Sequence, residues 1–93
     1  MISNIGNQVI IQGNLVKAPV KIGAKYQFAI ISKNDKSDFI NLFFEIETSD
    51  RRIYRFVKDL ITGSSIKCTC LLGNKIYKDK LIPTLECFDI RLI

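Results

Sequence analysis

Apolar and polar residues alternate along most of the chain, and short breaks rich in turn-forming residues separate the apolar runs. Alternation with a period of two puts every second side chain on one face and predicts half-buried β-strands. The segment 39–47 is the clearest example. Its apolar face, predicted to enter the core, consists of Ile40, Leu42, Phe44 and Ile46. Its opposite face consists of Phe39, Asn41, Phe43, Glu45 and Glu47.

Three other runs also predict strands. In the segment 26–33 the core residues are expected to be Phe28 and Ile30, with Tyr26 in phase with them. In the segment 66–72 the residues expected to point inward are Ile66, Cys68, Cys70 and Leu72. The last run, 81–93, contains Pro83, which belongs near a strand start or a sheet edge. This run changes phase near Phe88, so a bulge there can send that ring to either side.

The first run, QVIIQGNLVKAP from Gln8 to Pro19, contains a Gly13-Asn14 break between two apolar stretches. A glycine inside a strand marks a bulge or a sharp bend. A strand that bends in its middle can pair with two different neighbours, and this is how a small sheet closes into a barrel. The break therefore predicts the first strand of a barrel.

One segment has the period of a helix. Its apolar residues recur at i, i+3, i+4, i+7 and i+8, and they are Ile53, Phe56, Val57, Leu60 and Ile61. Ser49 or Asp50 is suited to cap its start, and Gly63 is suited to the position just after its end. The predicted order is three strands, a helix and two strands. This is the order of an OB-fold, an all-β class in which a five-stranded Greek-key barrel has a helix between strands 3 and 4.

Composition adds the expected partner and compartment. The 93 residues predict one domain, 1–93, and the 14 basic against 9 acidic residues give a net charge of +5. This excess favours an anionic partner, of which nucleic acid is the commonest, although a basic surface can also serve only solubility. No apolar run reaches the roughly 18 residues of a membrane span, and no secretory signal pattern is present, so we expect a cytoplasmic protein without membrane contact.

The chain has three Cys and no His, which makes a disulfide framework or a zinc site improbable. Core packing is expected for Cys68, Cys70 and Cys87. No nucleophile–base pair and no phosphate-binding glycine pattern is visible. We therefore expect no catalytic residues, no metal and no cofactor.

The ordered segments resemble the bacterial and phage single-stranded DNA-binding protein family and, more loosely, the related primosomal replication protein. NQVIIQGNLVKAP resembles the family's first strand, YQFAIIS the second, DFINLFFEI the third, TGSSIKC the turn into the fourth, and TLECFDIRLI the last. The resemblance puts Phe39 and Tyr77 at positions where the family usually or often has Trp. The family's flexible acidic C-terminal tail, which recruits replication proteins, has no counterpart after the barrel in this sequence.

Single-strand binders need aromatic faces for bases and cations for phosphates. Phe39 and Phe43 share one strand face that the core does not explain, and Asn41 between them can bond a base edge or a sugar. Their alternative role is packing at an oligomer interface or under a loop. Tyr77 lies between Lys75 and Lys78 in a predicted hairpin, where its alternative is packing over the barrel rim.

Lysines flank the same predicted loops. They are Lys17 and Lys21 after the first strand, Lys33 and Lys36 before the third, and Lys75, Lys78 and Lys80 in the last hairpin. The loops between strands 1 and 2 and between strands 4 and 5 usually border the ligand face of an OB-fold. Each lysine is a candidate for phosphate contact or for a purely solvated position. Glu45 shares the predicted ligand face and is expected to lie at its edge or to pair with a lysine.

The resulting hypothesis is a non-enzymatic protein that binds single-stranded DNA, and possibly RNA, without sequence preference in replication, recombination or repair. The resemblance implies a dimer or tetramer and partners such as helicase, primase or polymerase, and the short form suggests a mobile element. Two alternatives remain: a primosomal accessory factor, and an OB-fold interaction subunit that uses the same face for a protein.

Overall fold

The computed structural model describes the backbone of residues 2–5, 7–34 and 37–93, and the side chains of residues 7–32 and 42–93. It contains six strands and one helix. They are β1 (Ile2–Ile5), β2 (Gln8–Ile22), β3 (Lys25–Asn34), β4 (Ser37–Thr48), α1 (Arg51–Lys58), β5 (Ser65–Tyr77) and β6 (Lys80–Leu92).

Strands β2 to β6 form the closed barrel that the sequence predicted. The order in the sheet is β1-β2-β3-β4-β6-β5, and β5 returns to pair with β2, which closes the ring. Helix α1 lies between β4 and β5, the third and fourth barrel strands, so the OB-fold is confirmed. The strand β1 was not predicted. It lies antiparallel to β2, with Ile2 opposite Ile11 and Ile5 opposite Gln8.

Strand β2 belongs to both sides of the barrel because it changes partner in its middle. Residues Gln8 to Asn14 pair with β5, and residues Asn14 to Ile22 pair with β3. A Cβ atom added at Gly13 would press against the carbonyl oxygen of Ile31 and lie 2.8 Å from its carbonyl carbon. Only glycine leaves the space for this approach. The predicted pairing of one strand with two neighbours on either side of the Gly13-Asn14 break is confirmed.

The core is built from the strand faces that alternation assigned to it, and from α1. Its fully enclosed side chains include Ile11, Leu15, Phe28, Ile30, Ile46, Ile66 and Val57. The inward assignments of Leu42, Leu72 and Ile61 were wrong, since all three are exposed. Leu72 follows the last residue of β5 that pairs with β2, and Ile61 follows the end of α1, so neither has a neighbouring element to cover it.

Helix α1 begins as the sequence indicated and ends earlier. Asp50 is the N-cap, and its carboxylate accepts a hydrogen bond from the Arg52 backbone N–H at 2.8 Å. The side-chain and backbone hydrogen bonds from Arg52 lower the pKa of Asp50. The C-cap is Asp59, so the placement of Gly63 directly after the helix was wrong. Gly63 has a φ of +99° and instead turns the chain into β5, where its N–H donates to the Leu15 carbonyl at 2.7 Å.

The three cysteines pack in the core, as predicted. Cys70 lies opposite Cys87 on the neighbouring strand, and Cys68 is as deeply buried. Hydrogen bonding to Cys87 and burial both raise the pKa of the Cys68 and Cys70 thiols, which keeps them protonated. Among the described residues, no group of three or more His, Cys, Asp or Glu side chains is arranged to hold a metal ion.

The structure places two aromatic side chains, Tyr26 and Phe88, next to helix α1. Tyr26 is half-buried and stacks on Tyr54 of α1, with ring centroids 4.1 Å apart and an angle of 18° between the planes. The expectation that Tyr26 packs in the core was therefore wrong. Phe88 is exposed beside the start of α1. No helix in the described part of the chain is long and apolar enough to cross a membrane.

Candidate nucleic-acid interface

The outer face of β3 and β4 presents an exposed aromatic ring, as the alternation of β4 predicted. Phe43 is 57% exposed. It lies opposite Ile31 of β3, which lies in turn opposite Asn14 of β2, and we call these three residues the Phe43 row. Residues directly opposite each other share a face of the sheet. Because the core side of β4 is filled by Phe44 and Ile46, the Phe43 ring is free to meet a ligand.

Three predicted site residues lie near this row, but their side chains fall outside the described residues. Phe39 and Asn41 belong to β4, and the backbone of Asn41 pairs with that of Lys33 on β3. The predicted roles of Phe39, Asn41 and Lys33 therefore stay predictions. Lys36 lies wholly outside the described part of the chain.

Toward the other end of β4 the same face becomes acidic. Glu47 forms an ion pair with Lys25 at 3.5 Å, and Lys25 also reaches Glu86 of β6 at 3.7 Å. Glu45 accepts a hydrogen bond from the Gln27 side chain at 3.2 Å. No lysine among the described side chains forms an ion pair with Glu45, so the expected pairing with a lysine is not observed there. Glu45, Glu47 and Glu86 form what we call the acidic cluster, which limits how far an anionic ligand can extend along this face.

A two-stranded arm stands beside that face. It consists of the paired ends of β5 and β6, residues 72–85, and it turns at Lys78 and Asp79. These two residues have φ values of 50° and 62°, the left-handed conformation that a two-residue hairpin turn requires. A cleft between the arm and the sheet is lined by Gln27, Glu45 and Glu47 on one side and by arm residues that include Lys75, Pro83 and Thr84 on the other.

The arm exposes Tyr77 among lysine side chains, as the sequence predicted. Tyr77 is 57% exposed, and the ammonium of Lys78 lies 5.3 Å from the centroid of its ring. Lys75, Lys78 and Lys80 are exposed on the same arm. Ile76 and Leu81 face each other near the tip with 75% and 70% of their surface exposed. Tyr77 is thus available to a ligand and is not covered by the barrel rim.

The lysines of β2 divide into two positions. Lys17 lies opposite Ala29, two residues along β3 from Ile31 of the Phe43 row. Lys21 lies opposite Tyr26, which is five residues from Ile31 along β3, or roughly 17 Å at about 3.4 Å per residue. The fold therefore brings Lys17 near Phe43 and leaves Lys21 at the other end of the sheet, beside α1.

Sequence reasoning missed two residues that shape this surface. Lys25 is in phase with Gln27, but only the cross-strand register reveals that it partly neutralises the acidic cluster. Asn14 has a structural role, since its amide donates to the Gly63 carbonyl at 3.0 Å and to Ser65 Oγ at 3.1 Å. These bonds join β2 to the beginning of β5 and support the prediction that the Gly13-Asn14 break belongs to the first strand of a barrel.

Comparison with solved structures identifies proteins that have the same fold. The mitochondrial single-stranded DNA-binding protein Rim1 of S. cerevisiae is 15% identical, with a TM-score of 0.79 over 92% of this chain and 93% of its own. The chain has the OB-fold of single-stranded DNA-binding proteins. The Plasmodium falciparum protein of this kind, solved in complex with single-stranded DNA, is 16% identical, with a TM-score of 0.74 over 100% of this chain and 99% of its own.

A Thermus aquaticus single-stranded DNA-binding protein is a third similar structure. It is 18% identical, with a TM-score of 0.70 over 94% of this chain and 40% of its own chain. No protein-family model and no curated protein matches the sequence. At these identities the likeness lies in the backbone fold and does not extend to the side chains of the OB-fold face.

Proposed function

We propose that this protein binds single-stranded DNA with little sequence preference, without catalysis, in replication, recombination or repair. The observation on which the proposal rests is the exposed Phe43 ring on the outer face of β3 and β4, beside an arm that exposes Tyr77 among lysines. A surface of aromatic rings with nearby cations suits unpaired bases and their phosphates. The fold supports the proposal because the similar proteins named above bind single-stranded DNA.

Stacking supplies the affinity in this mechanism. Unpaired bases expose both π-faces, whereas a duplex hides them, so the Phe43 ring discriminates against duplex DNA. Each stacked base contributes about 1–3 kcal/mol whatever its identity, which explains the lack of sequence preference. Phe39 is the second proposed stacking residue of β4, and Asn41 between them is proposed to bond a base edge or a sugar.

Lysines complete the site by holding the phosphates. Lys17 lies beside the Phe43 row and Lys75 beside the cleft at the arm, and both are exposed. Lys78 is held against Tyr77 and is proposed to meet the phosphate next to a base stacked on that ring. The acidic cluster repels phosphates, so we propose that the strand crosses the sheet at the Phe43 row and turns toward the arm.

Assembly and context belong to the same proposal. One barrel offers a single aromatic face, so a dimer or tetramer would lengthen the footprint on DNA. Helicase, primase or polymerase are proposed partners, and the cytoplasm the proposed location, with a mobile element as the proposed origin. A primosomal accessory role is compatible with the same surface.

A different function class has one observation in its favour. Ile76 and Leu81 expose a pair of large apolar side chains at the arm. Such a pair suits a protein surface better than a phosphate backbone. The alternative function is therefore an OB-fold interaction subunit whose arm and Phe43 face contact a protein.

The test compares fluorescence anisotropy of labelled oligo-dT with that of a duplex of equal length. Phe43→Ala and Phe39→Ala are each expected to weaken oligo-dT binding by about 1–3 kcal/mol, roughly 5- to 150-fold. Phe88→Ala is the matched control, since Phe88 is an exposed ring on β6 away from the Phe43 row. Oligo-rU in the same assay separates DNA from RNA preference.

Salt separates the two function classes. Nucleic-acid binding should weaken by about 0.7 log units per phosphate contacted for each log unit of salt, whereas an apolar protein interface responds little. Equal affinity for oligo-dT and duplex, or unchanged binding in both phenylalanine variants, would refute the stacking mechanism.

A further inference from the structure

Helix α1 concentrates charge of one sign. Three of the four arginines in the chain, Arg51, Arg52 and Arg55, lie in its eight residues together with Lys58, and the helix itself contains no acidic residue. Arginine is the side chain best suited to phosphate because its planar guanidinium donates two parallel hydrogen bonds.

The cations divide between two sides of the helix. At about 100° per residue, Arg51, Arg55 and Lys58 fall within an arc of about 60°, with Tyr54 at its edge. All three are exposed and lie opposite the buried Ile53 and Val57. We call Arg51, Tyr54, Arg55 and Lys58 the helix stripe. Arg52 lies outside it and is held by the carboxylate of Asp50 at 3.3 Å.

The cations of the helix stripe are not neutralised by the fold. Within the part of the chain whose side chains are described, Arg51 and Arg55 make no ion pair and no side-chain hydrogen bond, and Asp59, four residues after Arg55, does not bridge to it. Like charges three or four residues apart repel each other on a helix. Arg51 is also in the first turn, where the helix dipole disfavours a cation. Folding therefore leaves a solvated cluster of positive charge that is available to an external anion.

The aromatic stack gives this stripe a rigid base and a position relative to the barrel. Tyr54 stacks on Tyr26 of β3 at 4.1 Å, and the ammonium of Lys58 lies 5.8 Å from the Tyr54 ring. Lys21 of β2 lies opposite Tyr26. The lysine that the fold separated from Phe43 is thus placed beside the helix stripe and extends its positive charge onto the barrel.

We propose that the helix stripe, together with Lys21, is a second phosphate-binding surface for the same single strand after it leaves the Phe43 row. The inference rests on the proposed function. Glu45 and Glu47 of the acidic cluster lie opposite Ala29 and Gln27, between the level of the Phe43 row and that of Tyr26. A strand that joins the Phe43 row to the helix stripe must therefore pass around them. Roughly 17 Å along β3 separates the Phe43 row from Tyr26, and the path around the acidic cluster is longer still.

The distance makes the proposal depend on oligonucleotide length. An oligo-dT of about 4 nucleotides, the short end of the range that one OB-fold binds, would fill the Phe43 face alone, whereas one of about 20 would also reach the helix stripe. The test compares the two lengths with wild type and with the double variant Arg51→Gln/Arg55→Gln. Arg91→Gln is the matched control, because Arg91 is an exposed arginine on β6 that is paired with Asp89 at 3.4 Å.

We expect the double variant to lose about tenfold or more in affinity for the long oligonucleotide and to bind the short one as wild type does. Two lost phosphate contacts should also reduce the log–log salt slope for the long oligonucleotide by about 1.4. The control variant should change neither value. Circular dichroism of the double variant checks that α1 is retained, and Arg51→Lys/Arg55→Lys should recover most of the salt slope because it keeps the charge.

Three outcomes would overturn the inference: unchanged binding of the long oligonucleotide, an equal loss at both lengths, or an equal loss in the Arg91→Gln control. Failure of the proposed function looks different. In that case the wild-type protein itself would not prefer oligo-dT to duplex at either length. The two failures can therefore be told apart in one set of titrations.

Discussion

The substitution Gly13→Ala tests the closure of the barrel. A Cβ at Gly13 would press on the carbonyl oxygen of Ile31 and lie 2.8 Å from its carbonyl carbon and 3.1 Å from the Ser32 nitrogen. All three atoms are backbone, and Ile31 is paired with strands on both sides, so they cannot move away without disturbing two ladders. Overpacking costs about 1–3 kcal/mol, and we expect a loss near 3 kcal/mol because backbone has to move.

That loss is large for a domain of this size. A chain of 93 residues is expected to be stable by roughly 5–14 kcal/mol, and each kcal/mol shifts the Tm of such a domain by about 4–8 °C. Gly13→Ala should therefore lower the Tm by roughly 12–24 °C, measured by circular dichroism or calorimetry. Urea unfolding of the same variant gives the free energy of unfolding independently of the thermal midpoint.

The matched control is Gly73→Ala on β5. A Cβ there would meet only the Thr84 side-chain oxygen at 3.1 Å, and a side chain can rotate away. Replacing glycine by alanine also reduces the entropy of the unfolded chain, so we expect a change within about 1 kcal/mol. If Gly13→Ala lost no more stability than Gly73→Ala, the close approach of β2 to β3 would not be what requires glycine.

Four shorter predictions concern the site and its supports. Phe43→Ala should leave the Tm within a few degrees of wild type, since the ring is 57% exposed, so any loss of oligo-dT binding would come from the ligand face. Asp79→Gly should stabilise the protein by about 1 kcal/mol, because it relieves the left-handed φ of 62° at a residue with a Cβ, and a fall in Tm would contradict this. Asp50→Ala should destabilise α1. Because the pKa of Asp50 is lowered in the folded protein, the contribution of its carboxylate to the free energy of unfolding is complete above the ordinary aspartate pKa of about 3.9 and is lost as the pH falls through the lowered value. The stabilities of wild type and variant should therefore converge in strong acid. The three buried cysteines should react with a thiol reagent only at the rate of unfolding, and fast labelling of the native protein would refute their burial.

Strand period and helix period were sufficient to predict the barrel from the sequence. Phe28, Ile30, Ile46, Ile66 and the cysteines were assigned inward because a strand alternates its faces, and this local rule holds in any sheet. The same rule assigned Phe43 outward. Strand alternation failed at Leu42 and Leu72, and helix period failed at Ile61, because period alone does not tell where a neighbouring strand or helix stops covering a face.

The order of residues in the sequence did not predict which charged side chains become neighbours in the fold. The sequence proposed Lys17 and Lys21 as one group because they are close in the chain. The antiparallel register places Lys17 opposite Ala29, two residues from Ile31 of the Phe43 row, and Lys21 beside the stacked Tyr26 and Tyr54. The pairing of Lys25 with Glu47 and Glu86, and the presence of β1, likewise depend on which strands meet.

The sequence by itself determined which face each strand buries, the bend at Gly13 and the outward direction of Phe43, because side-chain alternation and the missing Cβ of glycine act within one strand. Only the tertiary structure decided which exposed residues are neighbours. Register and barrel closure decide which strands and residues meet, and they put the acidic cluster between the level of the Phe43 row and that of Tyr26 beside the helix stripe. The position of the exposed charge of α1 beside the barrel also depends on tertiary structure, because Tyr54 stacks on Tyr26, which lies 28 residues earlier in the chain.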